Sequence, residues 1–182
     1  MKEQTVATTR PVEVLRIPSG EPIQLEADTA VMITQALGGS YTLFIPTHPG
    51  LYRLSSADAD AIGMEAKPEP QPGANTSGGQ VSEEEVWGML KTCYDPEIPV
   101  NIVDLGLIYG CEVTQSEQGS RVRVQMTLTA PGCGMGPVIA REAEEKIIGL
   151  AGVAEANVEV VWDPPWSPDR ISEEGRQKLG ME

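Results

Sequence analysis

Of the side chains able to do chemistry in this chain, the thiol of Cys133 has the most suggestive surroundings. It lies in Ala130-Pro131-Gly132-Cys133-Gly134-Met135-Gly136-Pro137, between the end of a strand-like run and the start of a helix-like one. Amide hydrogens at a helix N-terminus and the positive end of the dipole stabilise a thiolate, which is both nucleophile and metal ligand. Three glycines leave the backbone bare around it. A reactive or ligating thiol is therefore favoured over an incidental cysteine in a glycine-rich connection. Thr127 and Thr129, placed by alternation on the wet face of the preceding strand, could hydrogen-bond the thiolate or a bound anion, although exposed threonines are usual in strands.

The other candidates are weaker. Cys111 alternates with Leu107, Tyr109 and Val113, so it reads as a small buried hydrophobe. Cys93 ends a helix, where the negative end of the dipole does nothing for a thiolate. Three cysteines without a C-x-x-C pair form neither a disulfide framework nor a self-contained zinc site. In the loop Tyr94 to Asp104, Asp95 before Pro96 is a turn former, and Glu97 is a supporting carboxylate. Asp104, in an apolar context before Leu105-Gly106, needs a partner, and capping of nearby backbone is the simplest one. His48, in Pro46-Thr47-His48-Pro49-Gly50, reads as a loop histidine far along the chain from Cys133.

These residues must be held by folded elements, and the chain divides to supply them. Between Lys67 and Gln80 the sequence KPEPQPGANTSGGQ offers almost nothing apolar to bury, which predicts a flexible linker over 67–80. Before it, residues 1–66 carry short β-prone runs at Val12–Ile17, Ile23–Leu25, Ala30–Leu37, Tyr41–Ile45 and Leu51–Leu54. They predict a small all-β domain, a barrel or sandwich of antiparallel strands, with Gly38-Gly39-Ser40 forming a hairpin turn.

After the linker, residues 81–182 predict an α+β (α/β) domain of order α-β-β-α-β-α around a three-stranded mixed sheet. Ser82 and Glu85 make a capping box for a helix from Glu83 to about Cys93. Leu107–Thr114 and Arg121–Ala130 form a hairpin about the turn Gln115–Gly119. In its second strand Val122, Val124, Met126 and Leu128 face a core that helices must cover. Pro137 opens a second helix to about Leu150, Val158–Trp162 reads as a third strand, and Ser172–Lys178 as a last helix.

Composition narrows the function. The 182 residues are 40% hydrophobic and 22% charged, as in a folded globular protein, and the formal charge is −14. That charge disfavours nucleic acid, which needs a basic stripe. No run approaches the roughly 20 apolar residues of a membrane span, and the polar N-terminus lacks a secretory pattern, so the expectation is no membrane and a cytoplasmic protein.

Three segments together resemble one family. Asp95-Pro96-Glu97, Asp104-Leu105-Gly106-Leu107-Ile108-Tyr109 and Met126-Thr127-Leu128-Thr129-Ala130-Pro131-Gly132-Cys133 stand at the spacing of the metal–sulfur cluster assembly family that includes PaaD-like proteins and SufT. The β-rich N-terminal extension and the ending Trp162-Asp163-Pro164-Pro165-Trp166 resemble its longer members. The resemblance implies an α/β domain that helps deliver or repair iron–sulfur clusters beside the Suf assembly proteins, with Cys133 as the functional residue and the family's acidic position at Asp104. One departure is that Gly134 follows the cysteine where relatives usually carry proline, which implies a more mobile loop.

Three functions are then in play. A carrier would hold iron or a labile Fe–S cluster through Cys133 and pass it to apo Fe–S proteins. Because a cluster typically takes four protein ligands, one good thiol per chain predicts a homodimer or a partner's ligands. An enzyme with Cys133 as nucleophile lacks a base, His48 being the sole histidine. An adaptor without metal would use Trp162 and Trp166 as interface anchors, though core packing explains them more simply.

Overall fold

The computed structural model describes residues 4–66, 80–131 and 134–181. The expected linker 67–80 falls, but for Gln80, outside them. The chain forms two compact units, Met1–Glu69 and Pro70–Glu182.

In the first unit six strands, β1 (Gln4–Ala7), β2 (Val12–Ile17), β3 (Pro22–Leu25), β4 (Ala30–Leu37), β5 (Ser40–Phe44) and β6 (Leu51–Leu54), join one antiparallel sheet in the order β1-β4-β5-β6-β2-β3. This is a single sheet, and neither the barrel nor the sandwich expected from sequence is shown by its pairings. Alternation explains the pattern of burial: Val12 and Val14 on β2, Val31 and Ile33 on β4, and Tyr52 and Leu54 on β6 enter a shared core. Gly38 and Gly39, both at positive φ, make the two-residue β4–β5 turn that pairs Leu37 with Ser40. A 3₁₀ turn, Ser56–Ile62, closes the unit and buries Ala61 and Ile62. Strand β1 was not legible in the sequence. Among its four residues only Val6 packs partly on the core, so the ladder of β4 rather than its own pattern makes it a strand.

The second unit begins with α1 (Glu83–Leu90). Its capping box is closed both ways, the Glu85 amide donating to Ser82 Oγ at 3.2 Å and the Ser82 amide to Glu85 Oε2 at 2.8 Å. The helix stops at Leu90, short of the expected Cys93, because the amides of Thr92 and Cys93 tighten to i−3 carbonyls. Strands β7 (Ile108–Ser116) and β8 (Gly119–Met126) form the antiparallel hairpin about a shorter turn, Glu117-Gln118. Then come α2 (Gly136–Ile148), β9 (Val153–Val160) and α3 (Glu173–Leu179). The sheet order is β7-β8-β9, with β9 parallel to β8. Val122, Val124 and Met126 of β8 are buried, as are Ala143 and Ile147 of α2, which packs on β9, and Val86 and Leu90 of α1, which packs on α2 and β7.

The third strand lies earlier than Val158–Trp162. Ala-rich, acidic residues disguise its first half, but Arg121 and Arg123 of β8 pair with Glu155 and Glu159 at 3.3 and 3.1 Å and support it across the ladder. Trp162 lies beyond it and is 48% exposed. Among the described residues no helix is long and apolar enough to cross a membrane.

Candidate functional site at the thiol loop

Strand β8 feeds the loop that carries Cys133. Cys133 itself lies outside the described residues, but both approaches to it are defined. On the first, the ladder with β7 ends at Met126, and the Thr127 amide donates to the Leu107 carbonyl at 2.8 Å. Consecutive Met126, Thr127 and Leu128 are all buried, so the alternation of the strand is lost there. This corrects the sequence expectation for Thr127: it is 1% exposed rather than on the wet face, and its Oγ1 has no hydrogen-bond partner among the described residues. Thr129 is half-buried, and Ala130 and Pro131 are exposed.

On the far approach, Met135 is buried and Gly136 begins α2 with Pro137 in its first turn. Among the described residues no side chain caps this N-terminus, and no acidic residue lies in its first turn, so the helix dipole is unopposed from within the turn. A Cβ on Gly136 would fall on the Leu128 side chain. The helix start is thus packed directly on the strand exit, and the two ends of the loop are held together.

Asp104 finds the partner that its apolar context demands in side chains rather than in nearby backbone. It is 4% exposed, and its carboxylate accepts from Asn101 Nδ2 at 2.7 Å, Ser172 Oγ at 3.3 Å and Lys178 Nζ at 3.0 Å. Its amide donates to Asn101 Oδ1, and its carbonyl accepts the Ser172 amide at 2.8 Å. Burial alone would push the carboxyl up. The hydrogen bond and charge of Lys178, with Asn101 and Ser172, outweigh it and hold the group below the usual carboxylate range. Asp104 is fully engaged inside the protein.

The remaining candidates separate. Asp95 accepts the amides of Glu97 and Ile98 at 2.8 and 2.9 Å and is the turn former expected. Glu97 is exposed and joins that turn through its backbone. Cys93 is buried, its thiol against the Met89 carbonyl at 4.0 Å. Cys111 stands opposite Val124 of the hairpin and is half-buried rather than buried as the alternation suggests, because β7 is the edge strand of the sheet. Burial, with the charge of Glu83, pushes its thiol up to about 11, so it is protonated at neutral pH. His48 is exposed, with Nδ1 3.2 Å from Thr47 Oγ1. Among the described residues no three His, Cys, Asp or Glu side chains converge as a metal site.

What sequence reasoning missed is the C-terminal half of this neighbourhood. Asn101, Ser172 and Lys178 satisfy Asp104, Trp166 Nε1 donates to the Leu105 carbonyl at 2.8 Å, and Tyr109 donates to the Pro164 carbonyl at 2.9 Å. The one available signal was the demand of a carboxylate in an apolar stretch for a cation somewhere in the chain.

Comparison with known proteins agrees on the second unit. A family model described as iron–sulfur cluster assembly protein matches residues 83–160. A Porphyromonas gingivalis Fe-S protein maturation auxiliary factor is 41% identical over 100 residues, 55% of this chain and 92% of that protein. The Bacillus subtilis Fe-S protein maturation auxiliary factor YitW is 37% identical over 100 residues, 55% of this chain and 95% of its own length. The Staphylococcus aureus Fe-S protein maturation auxiliary factor SufT is 37% identical over 87 residues, 48% of this chain and 96% of its own length. Each relative is thus spanned almost whole by about half of this chain.

Proposed function

The chain belongs to the iron–sulfur cluster assembly protein family, and on that premise we propose that it is a maturation factor of the Suf system that carries iron or a labile Fe–S cluster through Cys133 to apo-proteins. One observation carries the proposal to this loop. The Thr127 hydroxyl is buried and unpartnered among the described residues, six positions before Cys133. A buried hydroxyl left so costs about 1–3 kcal/mol, so its natural partner is the adjoining thiol loop or what that loop binds. The uncapped start of α2 adds a field that favours a thiolate or an anionic sulfide.

Iron or the cluster is cargo in this reading. Cys133 supplies one thiolate, Thr127 a hydrogen bond to sulfur, and the remaining ligands come from a second copy of the chain or from an acceptor, since a cluster typically takes four. Carrying rather than storing is favoured by that shortage, because weak, incomplete ligation lets an apo-protein take the cargo. The working form is a homodimer in the cytoplasm, beside Suf assembly proteins and apo Fe–S proteins, and the protein acts without turning over a substrate as an enzyme.

Exposed Trp162 supports a second reading, an adaptor that recruits apo-targets without touching metal. Anaerobic reconstitution with iron and sulfide separates the two. Visible absorbance, bound iron and oligomeric state are followed for the wild type, Cys133→Ser and Thr127→Val, after each is shown to be folded. The carrier predicts stoichiometric iron on a wild-type dimer, none on Cys133→Ser and weaker retention by Thr127→Val. Equal iron on wild type and Cys133→Ser, or none on either, overturns it, and the latter result with target binding intact establishes the adaptor.

A further inference from the structure

Beyond β9 the chain leaves the residues matched by the family and runs back over its own Asp104–Tyr109 segment. Its contacts are successive. The Val161 amide donates to the Met126 carbonyl at 2.7 Å. The Pro164 carbonyl accepts from Tyr109, and Trp166 Nε1 donates to Leu105. The Arg170 guanidinium lies 4.2 Å from the centre of the Tyr109 ring. The Arg170 carbonyl fills the place where a Cβ on Gly106, at φ +69°, would stand. Ile171 is buried, and then Ser172, Gly175 and Lys178 close on Asp104.

This segment, residues 161–178, does more than cover apolar surface. The stretch it clasps includes Leu107, whose carbonyl holds the Thr127 amide, and the segment's own first residue, Val161, holds Met126. The strand exit is therefore gripped from two sides by one closed circuit: Val161 on Met126, then the strap on Asp104–Tyr109, then Leu107 on Thr127. A backbone so pinned keeps the buried Thr127 hydroxyl pointing one way, although nothing on its own strand orients it after the ladder stops at Met126.

We propose that residues 161–178 form a positioning strap, clasped by Lys178 on Asp104 and Arg170 on Tyr109, that sets the backbone of Thr127 and through it the presentation of the thiol loop. Lys178 and Arg170 are positioning residues: neither is offered as a contact to the cargo. The part concerning the thiol rests on the reading of Cys133 as the working group, whereas the coupling of strap to Thr127 does not.

The experiment uses the full chain and two variants, Lys178→Met at the clasp and Arg170→Gln at the exposed ring contact, with Lys178→Arg as the conservative control. Amide hydrogen exchange is read at Thr127, Leu107 and residues 164–181, and the alkylation rate of Cys133 is read across pH. The proposal expects exchange at Thr127 to quicken about tenfold in Lys178→Met and several-fold in Arg170→Gln, since opening the strap opens the circuit. It expects the alkylation profile of Cys133 to move with it, and Lys178→Arg to restore both. Faster exchange confined to 164–181, with Thr127 unchanged, overturns the proposal. A changed Thr127 with an unmoved Cys133 profile upholds the coupling but overturns its reach to the thiol. Loss of the wild-type protein's iron uptake in Cys133→Ser, measured separately, decides the carrier reading whichever way the strap answers. If Lys178→Met does not fold, Arg170→Gln, at an exposed residue outside the buried carboxylate cluster, decides the coupling alone.

Discussion

Replacing Asp104 with alanine tests whether this residue is a clasp or a free acid. The substitution removes three side-chain hydrogen bonds and leaves Asn101, itself buried, without the carboxylate that it serves. At about 1 kcal/mol for each bond, more for the charged one, and with Lys178 free to turn to solvent, the cost is about 3 kcal/mol. For a unit of this size that lowers Tm by roughly 10–20 °C. Lys178→Met removes a cation whose side chain is 47% exposed, so screening limits its cost to about 1 kcal/mol. All three tryptophans, Trp87, Trp162 and Trp166, lie in the second unit, so their fluorescence during urea unfolding reports that unit alone. In the double variant the two losses must fall short of additive, because the pair is already broken by either one. Strictly additive losses, or an Asp104→Ala protein with the wild-type urea midpoint, would refute the clasp. An Asp104→Asn protein of wild-type stability that no longer takes up iron would show instead that the acid works at the site.

Three other outcomes follow from the same geometry. Because the folded carboxyl of Asp104 is held below its ordinary value of 3.8, its contribution is complete above that pH and is lost as pH falls through the lowered value. The urea midpoint of the second unit should therefore fall on acidification below about pH 4, and Asp104→Asn should flatten that slope. Gly106→Ala places a Cβ on the Arg170 carbonyl at a positive φ, and should cost several kcal/mol, about 2–4, by the same fluorescence assay. Iodoacetamide at pH 7.5 should add one group per chain, at Cys133, by peptide mass analysis, because Cys93 is buried and the Cys111 thiol is held protonated. Prompt labelling of Cys111 would contradict a thiol held protonated at that pH.

By itself the sequence determined what short-range chemistry determines. The capping box of α1, the Gly38-Gly39 turn, the bounds of β2, β4 and β6, and the Asp95 turn are all set by residues close to one another along the chain, and each was legible. The family resemblance was legible for the same reason, its motifs being short and dense around Asp104 and Cys133. Tertiary structure decided the rest. Strand β1 exists because β4 offers it a ladder, and β9 starts at Val153 because β8 offers it a parallel ladder from Ser120 onward. Thr127 turned inward because Leu107 captures its amide where the hairpin ladder ends, which no alternation within β8 could announce. Asp104 found its cation 74 positions along the chain, on α3. A pairing that distant leaves no periodic trace in sequence. It is favourable only once the fold has buried the carboxylate and brought the cation into reach, so the strap that surrounds the motif became visible only in three dimensions.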